Sequence, residues 1–278
     1  MTTQDNEARA KFQELPRLVK QHNTVTDIIR VSKRIKNVPI RNSFLQTGGP
    51  KNPKPGILGE LINSSNGRSL DLYLLHRLAS SAEPWATTKP ADVWARALGL
   101  NDEEYGKASV SRCWKKLTEL QLISKTRGTG RHTKVTTLRE DGSGHEFENP
   151  TRNYFTLPLA YWEEQWYLKL NYPAKALLLV GLSLQPGFYL PDPQVQKWYG
   201  FSADTLNRGV RQLKAHGLLH VDRRMTEDWN TTEIANFQNH YTLLGPFAQP
   251  SKTQPVATDI WQLIKDLSGG DTGESNDA

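Results

Sequence analysis

The chain has 278 residues, enough for two small domains or one large one, and its 35 Lys and Arg exceed its 29 Asp and Glu, which gives a formal net charge of +6. A single cysteine, Cys113, excludes a disulfide framework and any multi-cysteine metal site. The longest apolar run, residues 176–182, is too short to cross a membrane. We therefore expect a soluble cytoplasmic protein whose basic surface suits a polyanionic partner.

Residues 1–55 have the composition of a basic arm. They carry 11 basic and 4 acidic residues, a net charge of +7, and they end in the Gly- and Pro-rich linker 48–55. Ile28, Val31 and Ile35 have helical spacing and predict one apolar face. Two roles stay open for this arm, contact with DNA or dimerisation through that face, and its charge favours DNA.

The middle of the chain contains an internal repeat. A shift of 96 residues places 109–117 over 205–213, so that Val110, Trp114 and Leu117 match apolar residues at the same helical spacing. Each of these helices follows a shorter predicted helix that ends in Gly, and each shorter helix follows an apolar one. The four upstream helices are predicted at 90–99 and 191–200, and at 70–79 and 173–184.

Strand-like segments follow each long helix. Both copies end in similar sequences, 153–157 and 239–243, which we interpret as the last strand of a hairpin in each copy. Each copy therefore predicts three helices and a hairpin, in domains spanning 56–158 and 159–248. Residues 249–278 predict a short helix and a disordered acidic tail. The predicted fold class is mainly α with small β-hairpins (α+β).

This order of elements resembles the winged helix-turn-helix family, and the resemblance covers both copies. It implies that the third helix of each copy, about 107–120 and 202–216, lies in the DNA major groove. It also implies that each hairpin, the wing, touches the DNA backbone or the minor groove. The expected partner is therefore double-stranded DNA, and the expected location is on nucleoid or plasmid DNA.

The residues that the resemblance places on DNA are polar side chains of the third helices and wings. In the first copy they are Lys107, Ser109, Ser111, Arg112, Lys115, Lys116, Lys125, Arg127, Arg131, His132 and Lys134. In the second copy they are Ser202, Thr205, Asn207, Arg208, Arg211, Arg223 and Arg224. Arg and Asn can read guanine and adenine edges, whereas Ser, Thr and Lys usually hold phosphates. Acidic Glu227 and Asp228 predict a weaker clamp in the second wing.

Catalytic motifs are not evident, so we expect no enzymatic activity, no cofactor and no metal. Residues 127–131 lack the Gly-Lys-Ser/Thr of a phosphate loop, and Gly217 interrupts the pair His216 and His220. Three functions stay open. The first is a transcriptional regulator, the second is a plasmid or phage replication initiator that binds origin repeats, and the third is an adaptor that uses one winged helix for a protein partner. A homodimer is also open.

Overall fold

The computed structural model describes residues 3–49, 51–63, 67–100, 103–128, 133–226 and 236–250. These residues form a mixed α and β fold with small antiparallel sheets, which confirms the coarse class expected from the sequence. The tail predicted beyond residue 250 lies outside the described residues. No helix in the described part of the chain combines the length and the apolar character needed to cross a membrane.

The chain begins with a segment that precedes both repeated units. Its elements are α1 (Thr3–Ser32), β1 (Asn37–Arg41), β2 (Gln46–Thr47), β3 (Lys54–Pro55) and α2 (Ile57–Asn63). Contrary to the expected separate arm, the described part of this segment packs into the fold. Ile40 and Phe44 are fully buried, and β3, at the end of the predicted linker, pairs with β2 just before it. Residues 1–55 are therefore basic in composition, but they also contribute apolar side chains to the core, which a count of charges does not reveal.

The apolar face predicted for dimerisation is divided in the structure. Ile28 is buried in the core at 2% exposure, whereas Val31 is 63% exposed and Ile35 is 88% exposed. The helix ends at Ser32, and Lys33 adopts a left-handed conformation with φ of 54°, so the helical spacing does not continue to Ile35. The three residues do not share one surface, so the single apolar face expected from the sequence is wrong, and a homodimer stays a prediction.

The first repeated unit follows this segment. Its elements are α3 (Arg68–Ala79), β4 (Ala86–Thr87), α4 (Ala91–Ala97), α5 (Glu103–Glu119), β5 (Ile123–Arg127) and β6 (Thr133–Thr137). The strands form one antiparallel sheet in the order β4-β6-β5. The helices lie where the sequence predicts them, because their apolar residues recur at helical spacing and because Pro90 and Gly99 mark the two ends of α4. The short strand β4 was not predicted.

A connecting segment separates the two units. Its elements are β7 (Tyr154–Pro158), α6 (Ala160–Glu163) and α7 (Trp166–Lys169). We expected 153–157 to close the first hairpin, but β7 pairs with β1 and β5 pairs with β6. Phe155 and Leu157 lie opposite Ile40 and Val38, and all four side chains are buried. The alternating apolar pattern of 153–157 thus indicates a half-buried strand, but it does not specify the partner strand.

The second unit repeats the order of the first. Its elements are α8 (Tyr172–Ser183), β8 (Phe188–Tyr189), α9 (Asp192–Tyr199), α10 (Ala203–Ala215), β9 (Leu219–Thr226) and β10 (Asn236–Leu243). The strands again form a three-stranded antiparallel sheet, in the order β8-β10-β9. Gly209 brings α10 close to α8, because a Cβ there would lie 2.6 Å from the backbone oxygen of Pro173. The two units therefore share one order of helices and strands and one order of strands in the sheet.

A buried acid joins the loop after β6 to the first unit. Glu140 is fully buried, and its Oε2 lies 2.6 Å from Nη1 of Arg41 while its Oε1 lies 3.7 Å from Nη2 of Arg77. The ring of Phe147 lies against both guanidinium groups, with the Arg77 Cζ 3.9 Å from the ring centroid. These contacts fix β1, α3 and the loop relative to one another. They therefore help to fix the position of the core against which α5 packs.

Candidate nucleic-acid interface

Helix α5 has one buried face and one polar face. Val110 and Leu117 are fully buried and Trp114 is 6% exposed, and together they attach the helix to the first unit. The opposite face carries exposed polar and cationic side chains that the sequence assigned to DNA, namely Lys107, Ser111, Arg112 and Lys115. The helical period separates the two faces as the repeat predicts.

The polar face of α5 and the first hairpin together line one concave surface. Ser111, Arg112 and Lys115 of the helix lie there together with Lys125 of β5. Glu119 is the one carboxylate among its lining residues, against three cations. The structure therefore brings together four sequence-predicted site residues from two elements. We call this surface the α5 groove.

Two side chains at one end of this helix were missed in the sequence. Nη1 of Arg68, at the start of α3, lies 3.2 Å from the hydroxyl oxygen of Tyr105, and the Arg112 guanidinium lies 5.7 Å from the Tyr105 ring centroid. The hydrogen bond from Arg68 lowers the pKa of the Tyr105 hydroxyl, and Arg112 acts in the same direction. Tyr105 and Arg112 are seven residues apart, which is a signal of one helix face. Arg68 comes from another helix, so no local pattern indicates it.

Two assigned residues of α5 do not fit the exposed face. Ser109 is buried at 3% exposure, and its hydroxyl accepts a hydrogen bond of 3.2 Å from Nη1 of Arg68. It lies one helical turn before the buried Cys113, so it faces the core rather than a ligand. Lys116 is half-buried at the edge of the polar face. Ser109 is therefore removed from the candidate interface.

The first hairpin adds cations on two faces. Lys125 and Arg127 are exposed and share the side of the sheet on which Ile123 is buried, whereas Lys134 is half-buried on the other side. The predicted site residues Arg131 and His132 lie outside the described residues. The described cations of β5 thus point to the same side as the α5 groove.

Helix α10 presents the second polar face. Asn207, Arg208 and Arg211 are exposed, opposite the fully buried Leu206 and Leu213. Nε of Arg208 lies 3.0 Å from Oδ2 of Asp204, in a solvent-exposed ion pair of low energetic cost to break. The Arg208 side chain is therefore available for a stronger, bidentate partner.

Two predicted contacts of the second unit have structural roles. The hydroxyl of Ser202 accepts a hydrogen bond of 3.2 Å from the backbone N–H of Thr205, so Ser202 is the N-cap of α10. Thr205 is 7% exposed. Ser109 and Thr205 occupy matching positions in the repeat, and both are buried. The match between these two polar residues thus reflects a buried position in both units rather than a contact with a ligand. Thr205 is therefore removed from the candidate interface.

The second hairpin carries two exposed arginines in different settings. Nε of Arg224 lies 2.8 Å from Oδ2 of Asp222, whereas the Arg223 guanidinium lies 4.2 Å from the ring centroid of Phe237. Arg223 and Arg224 point to opposite faces, as neighbours on a strand do. Phe237 is 53% exposed and was not singled out in the sequence. This hairpin is therefore less cationic and more apolar than the first.

Other kinds of site have less support in the structure. Among the described residues, no three His, Cys, Asp or Glu side chains converge as a metal site would require. Burial raises the pKa of the Cys113 thiol, which makes it a poor nucleophile. Comparisons with protein-family models, with curated proteins and with solved structures found no match.

Proposed function

We propose that this chain is a sequence-specific double-stranded DNA-binding protein built from two winged helix-turn-helix units, most simply a transcriptional regulator. The repeated order of helices and strands, with the same strand order in both sheets, supports the proposal. In this proposal α5 and α10 are the recognition helices, and the β5-β6 and β9-β10 hairpins are the wings.

The α5 groove is the observation that carries the proposal. A recognition helix and a wing must present cations to one duplex, and Arg112, Lys115 and Lys125 line one concave surface from two elements. A guanidinium such as that of Arg112 can make a bidentate contact with guanine, and the two lysines are suited to phosphates. Arg68 and Tyr105 extend this surface, since Tyr105 lies against both arginines.

The second unit contributes a separate reading surface in this proposal. Asn207 is suited to adenine, and Arg208 and Arg211 are suited to guanine or phosphate. Two different recognition helices in one chain would read two different half-sites. A replication initiator that binds origin repeats uses the same surfaces, and the arrangement of the preferred sites separates it from a regulator.

Selection of bound sequences from a random pool of duplex DNA tests the proposal. The full chain should enrich a defined sequence, and the variant carrying both Arg112→Ala and Arg208→Ala should lose preference at the base pairs that these arginines read. One short site indicates a regulator, and if that site is inverted the regulator binds as a dimer, whereas tandem copies of a site indicate an initiator. The absence of any enriched sequence for the full chain would overturn the proposal.

A further inference from the structure

The second hairpin extends well beyond its own core. Its inner face carries the cross-strand pairs Leu219–Leu243 and Val221–Tyr241, in which Leu219, Leu243 and Tyr241 are buried. Four residues further along β9, Met225 lies directly opposite Phe237 on the same face. At the rise of a β-strand this pair lies about 13 Å beyond Val221.

Met225 and Phe237 both lie exposed on the second hairpin. Met225 is 62% exposed and Phe237 is 53% exposed, although both are large apolar side chains. Directly opposed, they form one contiguous apolar projection, which we call the wedge pair. Exposed apolar groups that lie side by side offer a surface that a partner can bury.

A cation lies on the wedge pair. The Arg223 guanidinium is 4.2 Å from the Phe237 ring centroid, on the diagonal between the two strands. This position corresponds to Arg127 in the first hairpin under the 96-residue shift, so both hairpins hold an arginine there. The second hairpin thus combines a cation, which can bind a phosphate, with an apolar pair, which cannot.

We propose that the wedge pair inserts between stacked base pairs from the minor groove and bends the duplex. The proposal rests on the proposed DNA-binding function and adds an activity to it, namely distortion of the bound DNA. Phe and Met are among the side chains that act as such wedges, and β-ribbons enter the minor groove in several DNA-binding proteins. Arg223 then neutralises a phosphate beside the inserted ring.

The position of the wedge pair favours DNA over a protein partner. It lies on the face of the hairpin whose Leu219, Tyr241 and Leu243 are buried in the second unit. Arg223 lies on the Phe237 ring of that same face, and α10 of the same unit exposes Arg208, Arg211 and Lys214. These cations give the second unit the positive charge that a polyanion requires.

The test uses the full chain and the best duplex from the random-pool selection. Fluorophores at the two DNA ends report bending, and 2-aminopurine placed at each step in turn reports unstacking. We expect a bend of about 20–90° and a rise in 2-aminopurine fluorescence at one or two neighbouring steps. Met225→Ala combined with Phe237→Ala should abolish that rise and straighten the DNA, and affinity should fall about tenfold.

Two matched variants locate the effect. Phe237→Leu keeps an apolar wedge and should retain most of the bend and the fluorescence rise. Tyr189→Ala removes an exposed aromatic ring, 40% accessible, from the opposite face of the same sheet, where it stacks on His240. This variant should bend and unstack DNA as the wild type does.

Contrary outcomes are distinguishable from failure of DNA binding itself. If no duplex is selected, the proposed function fails and the wedge experiment has no substrate. If the wild type binds its selected duplex tightly but neither bends nor unstacks it, the wedge proposal alone is overturned. Equal bending by the double alanine variant also overturns it. So does a double variant that distorts DNA normally but loses self-association in sedimentation, because the pair is then an interface between copies.

Discussion

Nζ of Lys175 lies 2.6 Å from Oδ1 of Asp71, in an ion pair that is largely buried between the two repeated units. Asp71 is the fourth residue of α3 and Lys175 is the fourth residue of α8, so the pair joins equivalent positions of equivalent helices. Burial raises the pKa of the Asp71 carboxyl, and Lys175 opposes that shift. The two units thus carry opposite charges at the same place in corresponding helices, where the units meet.

Loss of one partner of this ion pair should destabilise the protein strongly, whereas apolar replacement of both partners should change the free energy of unfolding little. Lys175→Met or Asp71→Leu alone should lower the free energy of unfolding by about 3–5 kcal/mol, since each leaves a buried group without its partner. Asp71→Leu combined with Lys175→Met should recover most of that loss. Urea unfolding of the four proteins measures the coupling, and additive losses in the double variant would contradict a direct buried pair.

A buried histidine links the helices and the sheet of the first unit. His76 Nε2 lies 3.1 Å from the Thr137 hydroxyl oxygen, and Nδ1 lies 3.3 Å from the Thr87 hydroxyl oxygen. The rings of Trp94 and Trp114 lie edge-on to the imidazole. Burial lowers the pKa of His76 to about 3, with Arg77 acting in the same direction, so the folded protein holds this imidazole neutral.

We therefore predict loss of stability on mild acidification. Between pH 6.5 and about 3 the unfolded chain binds a proton that folded His76 does not bind, so its contribution is complete above pH 6.5 and falls by about 1.4 kcal/mol per pH unit below it. Urea unfolding from pH 7 to pH 5 measures the slope. His76→Gln should flatten it, whereas His220→Gln, at an exposed position, should leave it unchanged. An unchanged slope in His76→Gln would assign the acid sensitivity to other groups.

The N-terminal segment is expected to behave as core. Phe44→Ala should lower the free energy of unfolding by about 3–5 kcal/mol, because Phe44 is fully buried and stacks at 5.3 Å on Tyr73. Ile35→Ala, at 88% exposure, is the matched control and should change it by less than about 0.5 kcal/mol. Thermal and urea unfolding check both. A fully stable Phe44→Ala protein would restore the separate-arm interpretation.

The sequence predicted those elements whose partners are close in the chain. The helix expected at 202–216 is Ala203–Ala215, and the helix expected at 107–120 is Glu103–Glu119, because apolar spacing, caps and Gly stops are local signals. The exposed side chains Arg112 and Arg208 follow from the same periodicity. The fold class and the exposed arginines of the candidate interface could therefore be predicted from the sequence.

Long-range partners could not be predicted in this way. The pairing of β7 with β1 joins residues more than a hundred positions apart. An alternating apolar pattern indicates a strand, but it does not specify the strand with which it pairs. Arg68 illustrates the same limit for a side chain, since it reaches Tyr105 and Ser109 of α5 from another helix. No local pattern indicates a contact of this kind.

The two recognition helices should carry sequence preference rather than stability. Arg112→Ala and Arg208→Ala should each cost about 1–3 kcal/mol of binding free energy on the selected duplex and relax the preference at one base pair. Arg139→Ala is the matched control for Arg208→Ala, because Nε of Arg139 forms a similar ion pair, 3.0 Å from Oδ2 of Asp141, outside the recognition helices and wings. Fluorescence anisotropy with substituted duplexes measures both effects. Equal weakening on all sequences would assign these arginines to phosphate contact.

The salt dependence of duplex binding tests the central claim most directly. If the cationic faces of both units neutralise about six to ten phosphates, the logarithm of the association constant should fall linearly with that of the salt concentration, with a slope of about −5 to −9. Lys115→Ala combined with Lys125→Ala, in the α5 groove, should reduce the magnitude of that slope by about 2 and leave the preferred sequence unchanged. A flat salt dependence, or no binding at low salt, would contradict the account.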